Sequence, residues 1–284
     1  MSIVNPRRCL LFVPGSRPER FEKAVAANAD QVCIDLEDAV PATDKATARE
    51  AVLQFFARSV TARGEIGVRI NPVSTEAGTA DLHALARAIH KPAFIMIAKT
   101  ESAADVAVAA DVLGVLPLIA LLESPTAIFN ARAIAAAAPS MQAMMFGGYD
   151  YAVAARVTPR SAGWNWPRAM LAAAAAEAGI GAIDVPSLDI NDASVVNRET
   201  EEAIALGFSS RAAIHPNQVA TIQQCYLPDA NTAERSRRIV EGAVAANGGV
   251  FTIDGKMVDR PIELAARRTL ALAAFGLRPQ SAIT

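Results

Sequence analysis

The 284-residue chain is short of the residues that build soft metal centres and cross-linked folds. It has three cysteines and three histidines. Cys9, Cys33 and Cys225 lie far apart, so neither a disulfide framework nor a thiolate or imidazole metal site is expected, and a reducing cytoplasm fits. Charge of one sign is also missing: 27 basic against 29 acidic residues give a net charge of −2, which gives nucleic acid no electrostatic hold. No apolar run reaches the roughly 20 residues of a membrane span. The opening MSIVNPRRCLLFVPG stops its apolar run at Pro14-Gly15 and reads as a first strand, not a leader. Aromatic residues are few, at 5%, and Trp164 and Trp166 around Asn165 read as packing anchors. A Gly-x-Gly-x-x-Gly turn after the first strand is absent, which disfavours a dinucleotide-binding sheet.

What is present is a 52% hydrophobic chain, enough for a large core, in eight strand-like runs each followed by a helical segment. The runs are 9–13, 31–36, 67–70, 93–98, 116–122, 143–146, 182–185 and 211–214. Helices are read at 18–29, 43–62, 75–90, 102–113, from Ser124-Pro125 to Pro139, at 167–178 and at 192–206. This alternation predicts a (β/α)₈ barrel over residues 1–228. Residues 229–284 form an extension in which Asp254-Gly255 marks a hairpin and a helix follows from Pro261. The extension is expected to pack outside the barrel, against a neighbouring subunit.

In such a barrel the C-terminal ends of all strands share one mouth, where catalytic groups belong. Polar residues fall there in nearly every unit: Glu37-Asp38 closing the run QVCIDLEDAV, Arg69 and Asn71, Lys99, Glu123, Asp150 after Gly147-Gly148, Asp184 and Asp189, and His215. Glu123 and Asp150 lie on neighbouring units with only oxygen donors around them, which suits Mg²⁺ and admits Mn²⁺. The competing reading for Glu123 is a helix cap beside Ser124-Pro125. Arg69, alone in an apolar strand, needs an anion: Glu37, or a substrate carboxylate held by its fork. Arg8, just before the first strand, is a weaker candidate for the same role. Lys99 reads as a salt-bridge partner and not a Schiff-base nucleophile. His83 and His90 read as surface residues, and the default role of Asp259 is to cap the last helix.

The order RCLLFVPG, DLEDAV, VRIN, ALLES, FGGYD and AIHP, with MVDRP beyond it, resembles the citrate lyase beta-subunit-like family among the metal-dependent aldolases and acyl-thioester lyases. The match runs from Arg8 to about Pro216. The resemblance implies a Mg²⁺-binding barrel that assembles as a homotrimer or hexamer. Glu123 and Asp150 would hold the metal, Glu123 also lying against the substrate, and Glu37 and Asp38 would hold metal-bound water. Arg69, helped by Arg8, would bind the substrate carboxylate or carbonyl oxygen, and Asp259 of an adjacent subunit would act as the acid/base. The implied reaction splits a 3-hydroxy-3-carboxyacyl thioester, carried by coenzyme A or a carrier protein and of citramalyl, malyl or citryl type, into an acetyl thioester and an oxo acid. The alternatives are a pyruvate-type aldolase on free hydroxy-oxo acids and a non-catalytic assembly subunit. Tyr149 and Tyr151 are bulkier than the family pattern, and Arg17 and Arg20 are possible partners for coenzyme A phosphates or simply a solvated helix start.

Overall fold

Each apolar run is too short and too branched for a helix and too apolar for an exposed strand, so the runs are stable only when helices cover them. The computed structural model shows how this is met; it describes residues 7–58 and 62–276. The chain runs β1 (Cys9–Pro14), α1 (Phe21–Ala26), β2 (Gln31–Asp35), α2 (Lys45–Phe56), β3 (Glu65–Ile70), α3 (Glu76–Ala86), β4 (Ile95–Ile97), α4 (Ala103–Leu113) and β5 (Leu118–Leu122). It continues through α5 (Pro125–Phe129), α6 (Ala131–Ala135), β6 (Met141–Phe146), α7 (Gly148–Ala155), α8 (Asn165–Ala178), β7 (Gly181–Asp184), α9 (Ala193–Ala205), β8 (Ser210–Ala213) and α10 (Val219–Cys225). Strands β1 to β8 pair in order, all parallel, and β8 closes on β1 through Arg211 and Cys9. This is the expected (β/α)₈ barrel.

The strand period of two sorts the side chains. Leu10, Cys33, Met96, Ile119, Leu121, Met145, Ile183 and Ala212 pack with Phe94 inside the barrel. Gly67 occupies an inner position of β3 because the Phe94 ring fills the space beside it; a Cβ there would lie 2.4 Å from ring carbons. The N-terminal end is closed by polar groups. Gln31 donates to Glu65 (2.9 Å) and Gln142 (3.2 Å), and Arg7 forks onto Glu65.

Several boundaries differ from expectation for local reasons. The helix read from Ser124 to Pro139 breaks at Asn130, whose backbone (φ −91°, ψ 0°) leaves the helical range between α5 and α6. Helix α3 ends at Ala86, so His90 lies beyond it. Residues 59–61 of the expected 43–62 helix lie outside the described residues.

The chain divides into two compact units, one spanning Arg7–Ile222 and the other starting at Gln223. The division falls within α10, ahead of residue 228. The second unit holds α11 (Ala230–Ala245), the antiparallel pair β9 (Phe251–Ile253) and β10 (Lys256–Val258), and α12 (Arg260–Gly276). Asp254 and Gly255 both take positive φ (50° and 72°) in the turn, the conformation a two-residue hairpin demands. Ile239, Val258 and Ala266 form this unit's small core with Phe251 and Ile253. Among the described residues no helix is long and apolar enough to cross a membrane.

Candidate active site

The inward register of β2 does not stop at the end of the strand. Cys33 and Asp35 face inward, and Glu37, two residues on, keeps that direction. On β5, Ile119, Leu121 and Glu123 do the same. The residues that end an apolar row therefore point their carboxylates into the barrel mouth. Gly147 follows Met145 in the same parity on β6 and leaves room for Glu123: a Cβ at 147 would sit 2.5 Å from Glu123 Cβ and 2.9 Å from Oε2. Gly147→Ala is therefore expected to push Glu123 aside. Calorimetry should find divalent-metal affinity down ~10- to 100-fold, with stability lower by about 1–3 kcal/mol from overpacking.

Glu123 and Gly147 line a cavity of about 450 Å³ together with Asp35, Asp38, Arg69 and Asp150. Its floor is Leu121 and Met145, and its opposite wall is uncharged. Asp35, 2% exposed, is the cross-strand neighbour of Arg69 and takes its fork: Nε and Nη2 each donate at 2.6 Å. Arg69 Nη1 lies 3.2 Å from Glu37 Oε2, and the guanidinium stands 5.1 Å from the centre of the Phe12 ring. Two of the five guanidinium N–H groups serve Asp35. Even with a third spent on Glu37, two remain for a ligand in the cavity. Burial disfavours the charge, but Asp35 and Glu37 outweigh it and hold the arginine firmly protonated.

Lys99 is the second organiser. Its backbone is left-handed (φ 49°), a conformation that costs a non-glycine residue free energy and gathers at functional sites. In that conformation its N–H donates to Glu123 Oε1 (2.8 Å), while its ammonium donates to Glu37 and to Asp38 (3.2 Å) and lies 3.8 Å from Asp150. The expectation that Lys99 pairs and supports matches this geometry. Burial raises the Glu37 carboxyl against the pull of Arg69 and Lys99. Asp38 is held low by hydrogen bonds from Glu37 and Lys99 that outweigh its partial burial.

Glu123 does not cap a helix: Ser124 does, its Oγ accepting from Ala127 N–H (3.0 Å) and donating to Glu101 (2.6 Å). Glu123 is 6% exposed. Burial, followed by a hydrogen bond shared with the Asp150 carboxyl, raises it from its ordinary 4.5 to about 8, with Lys99 acting in the opposite sense. Two carboxyls close enough to share a proton can instead share a cation. Both supply oxygen only, and among the described residues no cluster of three or more acidic, histidine or cysteine side chains is arranged to hold a metal. A pair of carboxylate oxygens is the donor type of a hard divalent ion, whose other positions would be left to water and substrate.

A raised carboxyl favours the fold in its neutral form. The stability it contributes is complete below 4.5 and is lost as pH rises through about 8. The metal-free protein should lose melting temperature across that window, and a divalent ion should restore it. Titrations at pH 7 in buffers of different ionisation enthalpy should show ~1 proton released per ion bound.

Other residues fall elsewhere. Arg8 does not reach the mouth. It precedes β1, so it lies at the opposite end of a six-residue strand, roughly 20 Å away at ~3.3 Å per residue, and forks onto Asp30 (2.8 and 3.0 Å). Asp184 has the outward parity on β7 and pairs with buried Arg168 (2.7 and 3.1 Å). His215 caps the turn after β8, its Nδ1 accepting from Asn217 N–H (3.2 Å). Asp259 lies in the second unit, where Oδ1 accepts at 3.4 Å from Ile262 N–H at the start of α12. Trp164 is buried against Phe146 and Tyr149, while Trp166 is exposed beside Phe129. The thiols of Cys9 and Cys33 are fully buried and pushed far up by that burial, which removes them as nucleophiles.

The HpcH/HpaI aldolase/citrate lyase family model matches residues 8–216. The citrate lyase subunit beta of Haemophilus influenzae is 30% identical over 96% of this chain and 99% of its own length. The L-malyl-CoA/beta-methylmalyl-CoA lyase of Cereibacter sphaeroides is 32% identical over 90% of this chain and 91% of its own. Among solved structures, the protein CitE from Mycobacterium tuberculosis, in complex with magnesium, acetoacetate and coenzyme A, superposes with a TM-score of 0.82 at 32% identity, covering 94% of this chain and 98% of that one. The carboxylates and the arginine thus stand in a barrel that has lyases among its sequence relatives, and the chain belongs to the HpcH/HpaI aldolase/citrate lyase family of carbon–carbon lyases.

Proposed function

We propose that this protein is a Mg²⁺-dependent lyase that cleaves a 3-hydroxy-3-carboxyacyl thioester of coenzyme A to an acetyl thioester and an oxo acid. The observation that carries the reading is the meeting of the Glu123–Asp150 pair with Arg69 in one cavity at the C-terminal mouth of the barrel. Glu123 and Asp150 would hold the ion, which when bound supplies Lewis-acid polarisation of the substrate's hydroxyl and carboxylate oxygens. Arg69 lines the same space, and its two uncommitted N–H groups suit the carboxylate or the oxygen on which negative charge develops. Asp35 fixes the plane of that guanidinium, and Lys99 holds Glu37 and Asp38 in place.

In the reaction the hydroxyl proton leaves and the carbinol carbon becomes the carbonyl of the oxo acid. The electron pair of the broken C–C bond passes to the thioester enolate, which takes one proton at carbon. The carboxyl group of Asp259 from a neighbouring copy in a homotrimer or hexamer would deliver it. Its capping contact within its own chain is long, 3.4 Å, so little of its hydrogen-bonding capacity is spent there. Asp259→Asn keeps the cap and should melt normally, yet lose ~100-fold or more in turnover; a variant that only melts earlier returns Asp259 to capping alone.

The direct test is a coupled assay of the purified protein with Mg²⁺ on citramalyl-, malyl- and citryl-CoA and on free hydroxy-oxo acids, with light scattering to count subunits. Cleavage of a thioester by a trimer or its multiple supports the reading. Turnover of free hydroxy-oxo acids alone, or by a monomer, overturns it.

A further inference from the structure

The charged groups of the cavity all lie on one side of it. Asp35, Asp38, Arg69, Glu123 and Asp150 come from β2 and the loop after it, from β3, from the residue after β5 and from the first turn of α7. The facing wall, from the residues just past β7 and β8 and the first turn of α7, is Val185, Pro186, Ile214 and Tyr149, while Phe12 of β1 lies against Arg69. Arg69 is the one cationic side chain among the described residues that line the space. Two of its N–H groups are committed to Asp35, so it has capacity for one further carboxylate and no more.

The wall is stiff. Arg160 stands behind it, where Nε donates to the Tyr149 hydroxyl (3.3 Å) and Nη2 to Pro186 O (3.0 Å), while Nη1 pairs with Glu199 (2.9 Å). Trp164 meets the Tyr149 ring edge-on at 5.4 Å. Those contacts spend the arginine on the wall itself and hold Tyr149 in place. A substrate gripped by its hydroxyl and carboxylate edge on the charged side must present both remaining groups, a substituent R and the CH₂–CO–S arm, to uncharged surface. A second carboxylate there would lose water without gaining a cation.

Resting on the thioester-lyase reading above, we infer that the substrate has the form R–C(OH)(COO⁻)–CH₂–CO–S–CoA with R uncharged, hydrogen or a short alkyl group, and not a carboxymethyl group. Cleavage breaks the bond between the carbinol carbon and the CH₂, moves the hydroxyl proton off oxygen, and adds one proton to the CH₂, giving R–CO–COO⁻ and an acetyl thioester; no other reactant is consumed. The wall, with Tyr149 held by Arg160 and Trp164, is the specificity element.

The test compares thioesters with R = H, CH₃ and CH₂COO⁻ under saturating Mg²⁺. The expected result is a kcat/KM for R = CH₃ at least ~100-fold above that for R = CH₂COO⁻. Ile214→Arg places a cation on the wall at a position already 43% exposed, and should narrow that ratio at least ~10-fold. A ratio near one in the wild type, or one that Ile214→Arg leaves untouched, overturns the inference while the lyase reading stands. No cleavage of any of the three, with Mg²⁺ bound by calorimetry, overturns the lyase reading instead. Pyruvate and oxaloacetate titrated into the Mg²⁺-loaded protein give an independent readout. Pyruvate should bind at least ~10-fold tighter, and the reverse order counts against an uncharged R.

Discussion

The double substitution Glu123→Gln, Asp150→Asn is expected to abolish Mg²⁺ binding and to lower turnover at least ~1,000-fold, while making the metal-free protein more stable at pH 8 by about 1–3 kcal/mol. The two effects share one cause. Burial and Asp150 hold the Glu123 carboxyl up to about 8, so at pH 8 the fold carries a carboxylate it disfavours, only partly offset by Lys99. The neutral amides keep the shape and remove the repulsion, and with it the charge that attracts a cation. Calorimetry with Mg²⁺ and melting curves at pH 6 and pH 8 check both halves. Mg²⁺ binding that survives in the double variant would refute the metal site. A loss of stability at pH 8 would show that the carboxylates serve the fold and not a ligand.

Much of this site was legible because strand parity continues past the end of a strand. A run such as Ile119, Leu121, Glu123 announces a charge placed where a core residue would otherwise stand, and Cys33, Asp35, Glu37 does the same. The order of eight such runs was enough for the barrel. Other features depend on information that no single segment carries. Asp35 reads as one acid in a cluster; its assignment as the forked partner of Arg69 needs the β2–β3 register. Lys99 could be read as an ion-pair partner, but its left-handed backbone, which aims its N–H at Glu123, left no local signal. Arg8 and Asp184 mislead for opposite reasons: one lies at the N-terminal end of its strand, the other has outward parity. Gly147 and Gly148 look like a flexible turn, yet neither takes positive φ. They are small because Glu123, and Phe146 with Trp164, occupy the space a Cβ would need.

Arg69→Met should be the most damaging single change, costing about 3–5 kcal/mol of stability and ~1,000-fold or more in kcat/KM. The stability loss follows from what remains. Asp35 stays buried with its charge and keeps only the backbone N–H donors of Glu37 (2.8 Å) and Ala39 (3.1 Å), while Glu37 keeps Lys99 but loses its second cation. Arg69→Lys keeps the charge but not the planar fork, so it should fold better than the methionine variant and still lose most turnover. Pairing Arg69→Met with Asp35→Asn removes the orphaned charge and should recover more than half of the lost stability, because the two sites interact directly. It should recover none of the activity, since the guanidinium that lines the cavity is gone in both. Denaturant melts and steady-state kinetics on the four proteins separate the roles. If Asp35→Asn restores turnover along with stability, Arg69 acts only as a counter-ion, and substrate anchoring has to come from another side chain of the mouth.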